Sequence, residues 1–305
     1  MNDYIFEGGL LHMAGNVQCL HSVSALYDAM KNETVLEAVC HMCDTERNLH
    51  VRLGEIQGII PKEQSALGAE QGQVKEIALI SKVGKPVQFI VRQIVKENGT
   101  FQATLSRKAV QQKCKDEYLD ALIPGDIIRA KITHLERFGA FADIGAGIHA
   151  LIPIDMLSVS RISHPRERVR VGEVIPCAVR SKAEGKITLS FRELLGDWEQ
   201  NVACFQAGET VKGIVRSVES YGVFIELAPN LAGLAEYTDE VEIGQAVSVY
   251  IKSIIPEKMK IKLSIIDTFE TGEWMPRKIF FTGAHMDVWR YHPEGCEKII
   301  ETKFS

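Results

Sequence analysis

The chain has 305 residues, with 35 lysines and arginines against 40 aspartates and glutamates and a formal net charge of −5. Hydrophobic residues make up 46% and charged residues 25%, which excludes a mainly disordered chain and a uniformly basic nucleic-acid coat. No stretch approaches the roughly 18 consecutive apolar residues of a membrane helix. The seven cysteines are few, and the first ten residues lack the basic residues of a signal peptide. Together these features predict a soluble cytoplasmic protein with reduced thiols.

Residues 1–33 are predicted to be an N-terminal extension that contains a helix. Val23, Leu26 and Met30 recur there at the three- and four-residue spacing of an amphipathic helix. Two later stretches, 108–123 and 193–205, contain no proline and predict short helical linkers of the same kind.

Beyond the extension the chain repeats one pattern three times. The segments 124–132 and 207–215 align at an offset of 83 residues. At the same offset the run 137–141, Arg-Phe-Gly-Ala-Phe, meets the run 220–224, Ser-Tyr-Gly-Val-Phe. A weaker copy lies upstream and ends on the same Leu-Ser pair. The repeats predict three modules, which span residues 34–108, 122–193 and 206–266.

Each module is predicted to be a small barrel. Short apolar stretches, separated by glycines or charged clusters, indicate five strands per module. Five short strands in an open sheet leave exposed edges, whereas a closed Greek-key barrel has none. The predicted fold class is therefore all-β, with three tandem five-stranded OB-type barrels joined by short helical linkers. A generic β-sandwich is the alternative. The remaining residues, 267–305, form an aromatic-rich C-terminal tail.

An aromatic pair recurs in the second and third modules. Phe138 and Phe141 flank Gly139, and Tyr221 and Phe224 repeat the spacing. Residues three apart in a regular strand face opposite sides, so the glycine predicts a bulge or twist that turns both rings to one face. Two rings on one face of a barrel form a platform on which bases stack. The alternative is that both rings belong to the core.

Basic residues that accompany these rings predict contacts with phosphates. They lie on the first strand or four residues before the closing serine of a module, and they are Arg129, Lys131, Lys186, Lys212, Arg216 and Lys260. Residues 122–193 hold 11 basic against 8 acidic residues, and residues 206–266 hold 6 against 8. The second module is therefore predicted to make the main nucleic-acid contact.

The second module resembles the S-one RNA-binding module, which is named for the largest protein of the small ribosomal subunit. The motif comprises Gly125-Asp126, the aromatic run 137–141, Leu151-Ile152-Pro153 and the closing run 186–190. The match is good in the third module and weak in the first. The whole layout is similar to the short, three-module relatives of that ribosomal protein in some Gram-positive bacteria.

The resemblance implies an OB barrel that binds single-stranded RNA on the face with the aromatic pair. It carries this role over to Phe138, Phe141 and Lys186 in the second module and to Tyr221, Phe224 and Lys260 in the third. The family often has a histidine on the third strand, where this sequence has Pro153 and Glu236.

The first module, residues 34–108, lacks these side chains. When it is aligned on Pro61, the aromatic pair is replaced by Glu46 and Leu49, and Gln102 stands in the place of Lys186. The resemblance implies a protein-docking or spacer module, with the small ribosomal subunit as the predicted partner.

No enzyme, metal or cofactor is predicted. The segment Cys40-His41-Met42-Cys43 lacks the second close pair of ligands that a zinc site normally needs, so Cys40 is predicted to pack inward. The segments outside the three modules are too short for a catalytic domain. The tail is predicted to pack on its own chain, with a hairpin between 279–281 and 288–291, or to form a surface for a partner.

The predicted function is therefore non-enzymatic binding of single-stranded RNA in translation, holding messenger RNA near the small ribosomal subunit. The alternatives are a protein-interaction scaffold, or a regulator of transcription or RNA decay that uses the same modules.

Overall fold

The computed structural model describes residues 4–97, 99–183, 185–269 and 277–304. The chain divides into two compact units, residues 1–122 with 143–149 and residues 123–142 with 150–305. The strands form three closed five-stranded barrels, which confirms the predicted fold class. None of the described helices is both long and apolar enough to span a bilayer. Trp274, one of the tail aromatics, lies outside the described residues.

The first unit contains the predicted N-terminal helix and the first barrel. Its elements are α1 (Ala14–Leu20), α2 (Val23–Lys31), β1 (Leu36–Cys43), β2 (Leu49–Leu53), β3 (Ile56–Ile60), α3 (Glu76–Ile80), β4 (Pro86–Glu97), β5 (Thr100–Ser106) and α4 (Arg107–Glu117). The strand order is β1-β2-β3-β5-β4. Helix α2 begins after Ser22, whose hydroxyl accepts a hydrogen bond from the backbone N–H of Ala25. Leu26 of this helix is fully buried in the same hydrophobic core as Cys40, which confirms that Cys40 packs inward.

A buried carboxylate fixes the extension within the first unit. Glu7 accepts hydrogen bonds from Arg107 at 2.6 Å and from Lys82 at 2.7 Å. Burial alone would raise the pKa of Glu7, but the charges of Arg107 and Lys82 outweigh it and lower the pKa to about 2. The carboxylate therefore stays ionised at neutral pH.

The second unit contains the other two barrels. The second barrel consists of β6 (Ile127–Glu136), β7 (Gly139–Asp143), β8 (His149–Pro153), β9 (Val174–Ala183) and β10 (Lys186–Ser190), in the order β10-β8-β7-β6-β9. The third consists of β11 (Thr210–Glu219), β12 (Gly222–Ala228), β13 (Leu231–Ala235), β14 (Ala246–Ile255) and β15 (Lys260–Phe269), in the order β11-β12-β13-β15-β14. The linker helix α5 (Trp198–Val202) begins with a capping box between Asp197 and Gln200.

Ion pairs join the second and third barrels at a place that we call the junction, made of Glu167, Arg168, Arg216 and Glu226. Arg168, from the loop between β8 and β9, pairs with Glu226 of β12. Nε of Arg216 lies 2.7 Å from the same carboxylate, and its guanidinium also pairs with Glu167. Glu226 is completely buried and Arg168 nearly so. The junction therefore holds the charges of Arg168 and Glu226 out of water, with Arg216 largely buried beside them and Glu167 partly exposed.

Asn230, in the turn between β12 and β13, adds hydrogen bonds beside the junction. Its side-chain carbonyl accepts from the N–H of Val159 at 2.9 Å, and its amide donates to the carbonyl oxygens of Arg192 and Gly196. The hydroxyl of Tyr291 donates to the Asn230 carbonyl at 2.5 Å. A turn of the third barrel is thus bound to a loop of the second barrel, to the linker and to the tail.

The tail packs on its own chain, but the predicted hairpin is wrong. Val288–Arg290 (β16) pairs with Glu301–Lys303 (β17). The stretch 279–281 is held elsewhere, because the N–H of Phe280 donates to the carbonyl of Leu194 in the linker. Backbone hydrogen bonds also join residues 284 and 286 to residues 127 and 125 of the second barrel. The tail aromatics that this packing buries are Trp289, Tyr291 and Phe304.

The contact between His285 and Asp126 predicts a pH-dependent stability of the second unit. Nδ1 of His285 lies 2.8 Å from Oδ1 of Asp126, and this hydrogen bond, with the charges of Asp126 and Asp287, raises the pKa of His285. A raised pKa means that the folded state binds the proton more tightly than the unfolded state. The resulting stabilisation is complete below the unfolded pKa and is lost as the pH rises through the folded value.

We therefore expect the free energy of unfolding of the wild type to fall, relative to that of His285→Asn, as the pH rises from below the unfolded histidine pKa of about 6.5 through the raised folded value. Urea denaturation at a series of pH values measures this difference. A difference that does not change with pH would contradict the assignment.

Candidate nucleic-acid interface

The second barrel presents Phe138 and Phe141 as an adjoining pair. Their ring centroids are 5.9 Å apart and their planes are inclined by 87°, the edge-to-face arrangement that aromatic pairs prefer. Phe138 is 57% exposed and Phe141 is half-buried. The rings therefore share one surface of the barrel, and one of them offers much of its area to solvent.

The glycine between the rings is required by a close approach of backbone. A Cβ atom on Gly139 would lie 2.4 Å from the carbonyl oxygen of Ile152 on β8, well inside van der Waals contact. The third barrel repeats the device: a Cβ on Gly222 would lie 2.5 Å from the carbonyl oxygen of Ala235, and Gly222 has a φ of +151°. Only glycine lets the start of this strand approach its neighbour so closely.

We expect Gly139→Ala to lower the free energy of unfolding by about 1–3 kcal/mol, because β7 has to move away from β8 to admit the methyl group. Gly15→Ala is the matched control, since a Cβ there meets nothing within 4 Å and the residue lies in α1. The control should leave stability unchanged or raise it by up to about 1 kcal/mol. Chemical denaturation measures both; equal effects at the two sites would contradict the steric explanation.

The third barrel carries a second pair of the same geometry. The ring centroids of Tyr221 and Phe224 are 6.1 Å apart and their planes are inclined by 88°. Tyr221 is 67% exposed and Phe224 is half-buried. We call these two pairs the aromatic platforms of the second and third barrels.

Five of the six predicted cations lie on barrel strands with side chains that reach solvent. They are Arg129, Lys186, Lys212 and Lys260, which are exposed, and Lys131, which is half-buried. On β6 the exposed Arg129 alternates with the buried Ile128 and Ala130, as the two-residue period of a strand requires. Their role as phosphate contacts stays a prediction.

The prediction for Arg216 needs a correction. Its side chain is only 8% exposed, because it belongs to the junction and pairs with Glu226 and Glu167. A cation held between two carboxylates is not available to phosphates, so Arg216 is a structural residue. The same holds for Arg168, which is buried in the same junction. Alternation along a strand could not reveal this, because it does not show which carboxylates the fold places against a side chain: Glu226 lies on the neighbouring strand, and Glu167 lies in a loop 49 residues earlier in the chain.

His134 lies at the platform of the second barrel and was not predicted. Its ring stacks on Phe141 with centroids 6.4 Å apart and an interplanar angle of 25°. In the sequence, only its place two residues after Ile132 on β6 could have indicated a position near the platform. The repeat does not help, since the third module has no aromatic residue in this place.

In the first barrel, the strand registers identify His50 as the counterpart of Phe224. In each barrel, the residue two before the closing serine pairs with a residue of the third strand. That third-strand residue pairs in turn with a residue of the second strand, which is His50 in the first barrel and Phe224 in the third. Arg47 correspondingly stands in the place of Tyr221. The first barrel thus has an imidazole and a guanidinium where the third has two aromatic rings.

The predicted counterparts, Glu46 and Leu49, are therefore wrong by one residue. The cause is a bulge between Glu226 and Ala228 on β12, which adds a residue that β2 lacks. Leu49 is fully buried and cannot take part in a surface platform.

Carboxylates engage both replacement side chains of the first barrel. Arg47 pairs with Glu76 at 3.0 Å, and Nε2 of His50 lies 3.0 Å from Asp44. The hydrogen bond with His50 is the main reason that the pKa of Asp44 is lowered to about 2. Among the described residues, no group of three or more histidine, cysteine, aspartate or glutamate side chains is arranged to hold a metal ion.

Comparison with known proteins agrees with this geometry. Residues 122–191 match the S1 RNA binding domain, which is the S-one module named above. The small ribosomal subunit protein bS1 of Staphylococcus aureus strain N315 is 31% identical over 222 residues, which cover 67% of this chain and 56% of that protein. The bS1 protein of Staphylococcus epidermidis is 33% identical over 200 residues, covering 60% of this chain and 50% of that protein.

A solved structure from Streptococcus pneumoniae TIGR4, a multidomain protein with nucleic acid binding domains, covers 79% of this chain and 76% of its own, with 14% identity and a TM-score of 0.25. The chain spans about half the length of the staphylococcal proteins it matches. Residues 122–191 thus match the S1 RNA binding domain, and about two thirds of the chain is similar to the small ribosomal subunit protein bS1.

Proposed function

We propose that this protein binds single-stranded RNA on the aromatic platforms of its second and third barrels and acts in translation, holding messenger RNA near the small ribosomal subunit. In this proposal it is a cytoplasmic protein without enzymatic activity, and it needs no cofactor. Unpaired bases stack on Phe138 and Phe141 and on Tyr221 and Phe224.

The platform of the second barrel is the observation that carries the proposal. The two adjoining rings, one of them more than half exposed, offer an apolar face at the barrel surface that a base can cover. Bases stack on such rings without regard to sequence, because every base has a π-face. Arg129, Lys131 and Lys186 are the cations of the same barrel that we assign to phosphates. The relatives named small ribosomal subunit protein bS1 support the link to translation.

The test uses a fluorescein-labelled, single-stranded RNA of mixed sequence and the full chain. Fluorescence anisotropy measures the binding affinity at a series of salt concentrations. We expect affinity to fall as salt rises. If all five cations on the barrel strands contact phosphates, the slope of log K against log salt should be about −3.5, since each phosphate contact on a single strand contributes about −0.7. Absence of binding at low salt overturns the proposal and favours a protein-interaction scaffold.

We assign the first barrel to a protein contact on the small ribosomal subunit, because ion pairs stand where the other barrels carry aromatic rings. Co-sedimentation with purified small subunits tests this assignment. Exchange of residues 34–108 for a copy of the third module should abolish co-sedimentation while RNA binding persists. Co-sedimentation that instead requires Phe138 and Phe141 would show attachment through RNA.

A further inference from the structure

The imidazole of His134 forms a third ring at the platform of the second barrel. Its side chain is 62% exposed, and its ring lies nearly parallel to that of Phe141 at 6.4 Å. Phe138 contacts the same Phe141 ring edge-on. Phe141 therefore contacts two other rings, and both of those are more exposed than Phe141 itself.

A carboxylate holds this imidazole in place. Nε2 of His134 lies 2.6 Å from Oε1 of Glu136, two residues along β6. Both side chains are exposed, so the contact restricts the ring without drawing it into the core. A ring that is already restricted loses less conformational entropy when a base stacks on it.

The third barrel lacks this ring. Ile132 and Val215 occupy equivalent places in the second and third barrels. Each donates one backbone hydrogen bond to, and accepts one from, the two residues that come directly before the fourth strand of its barrel. His134 follows two residues after Ile132, and Ser217 follows two residues after Val215. Ser217 lies directly opposite Phe224 in the β11–β12 register. The two platforms thus differ by one aromatic ring at one defined position.

We propose that His134 stacks on a base of the bound RNA, and that this third ring makes the second barrel the stronger of the two RNA-binding modules. The inference rests on the proposed function, and it adds a contact that the aromatic pairs alone do not supply. Three rings accept one base more than two rings, whereas a serine hydroxyl offers no face for stacking.

The first test replaces the ring in the full chain. His134→Ser should weaken binding of the labelled single-stranded RNA about fivefold, the lower end of what one stacked base contributes. His134→Phe restores an aromatic face without an ionisable group and should bind at least half as tightly as the wild type. Because the side chain is exposed, neither substitution should shift the thermal midpoint.

The second test adds the ring to the other platform. In a chain that carries Phe138→Ala and Phe141→Ala, residual binding depends on the third barrel, and Ser217→His should increase it severalfold. Ser217→Thr is the matched control, because it changes the same position without adding a ring, and it should leave affinity unchanged.

The outcomes separate this inference from the proposed function. Unchanged or tighter binding by His134→Ser, with a clear loss in Phe138→Ala/Phe141→Ala, overturns the role of His134 and leaves the platforms in place. Weaker binding by His134→Ser that His134→Phe fails to restore also overturns the stacking role. Absence of binding by the wild type overturns both proposals.

Discussion

Replacing Phe138 and Phe141 together with alanine is expected to weaken single-stranded RNA binding by about 10- to 100-fold. Each stacked base contributes about 1–3 kcal/mol, and the third barrel, which keeps its own platform, limits the total loss. The same substitution of Tyr221 and Phe224 should have the smaller effect, because Glu236 and the acidic balance of the third module oppose phosphate. Anisotropy at one fixed salt concentration compares the three chains directly.

Val171→Ala is the control for this experiment. Val171 is an exposed apolar residue of the second module, outside the platform, and its truncation should leave affinity unchanged. Val171→Ala should unfold like the wild type, whereas the double variant should lose some stability, because Phe141 is half-buried, and its fold is checked by thermal denaturation before binding is compared. An equal loss of affinity from Val171→Ala would indicate general apolar binding. An undiminished affinity of the double variant would exclude the platform as the binding surface.

Glu226→Gln is expected to lower the free energy of unfolding by about 3 kcal/mol or more. The glutamine keeps the shape of the side chain but removes the charge shared by Arg168 and Arg216, and a buried guanidinium without its counter-charge is strongly unfavourable. Burial already lowers the pKa of Arg168, and the charge of Glu226 opposes that shift. Guanidinium chloride denaturation measures the change, with tryptophan fluorescence as the signal.

Glu236→Gln provides the matched comparison. Glu236 is 87% exposed and pairs with Lys252 at 2.8 Å, so the same chemical change removes a solvated ion pair. Such pairs contribute about 0–1 kcal/mol. Equal effects at residues 226 and 236 would show that the junction does not depend on its buried charge.

The barrels could be predicted from the sequence because their information is local and repeated. The aromatic spacing around Gly139 recurs around Gly222, and in both barrels the rings lie together as predicted. On β6 the exposed Arg129 lies between the buried Ile128 and Ala130, which is the pattern of a strand with one face in the core. Repetition within one chain thus served to detect strands that single short apolar runs leave ambiguous.

Features that depend on contacts between distant residues could not be predicted in this way. Arg216 has the strand position of a surface cation, yet Glu167 comes from a loop 49 residues earlier in the chain. The bulge on β12 changes the alignment of the first barrel by one residue, and a register shift of this kind leaves no mark on composition. The strand 288–290 pairs with a segment that has no strong strand pattern of its own.

His134 shows a different limit. A lone histidine on a strand is an ordinary surface residue in sequence, and its meaning depends on the ring that the neighbouring strand places beside it. The repeat, which revealed the other platform residues, concealed this one because Ser217 occupies the matching position.

The junction also makes the spacing between the two platforms a property of the fold. Two modules on a flexible tether can bind one strand over a wide range of separations. Once the first module has bound, binding of the second depends on an effective concentration that the tether length sets. Here Arg168, Glu226 and Asn230 hold the second and third barrels at a set separation. If both platforms bind RNA as proposed, the distance between the two bound stretches of RNA is fixed by the protein. A strand that engages both platforms therefore has to match a separation that the fold sets, rather than one that a tether lets vary.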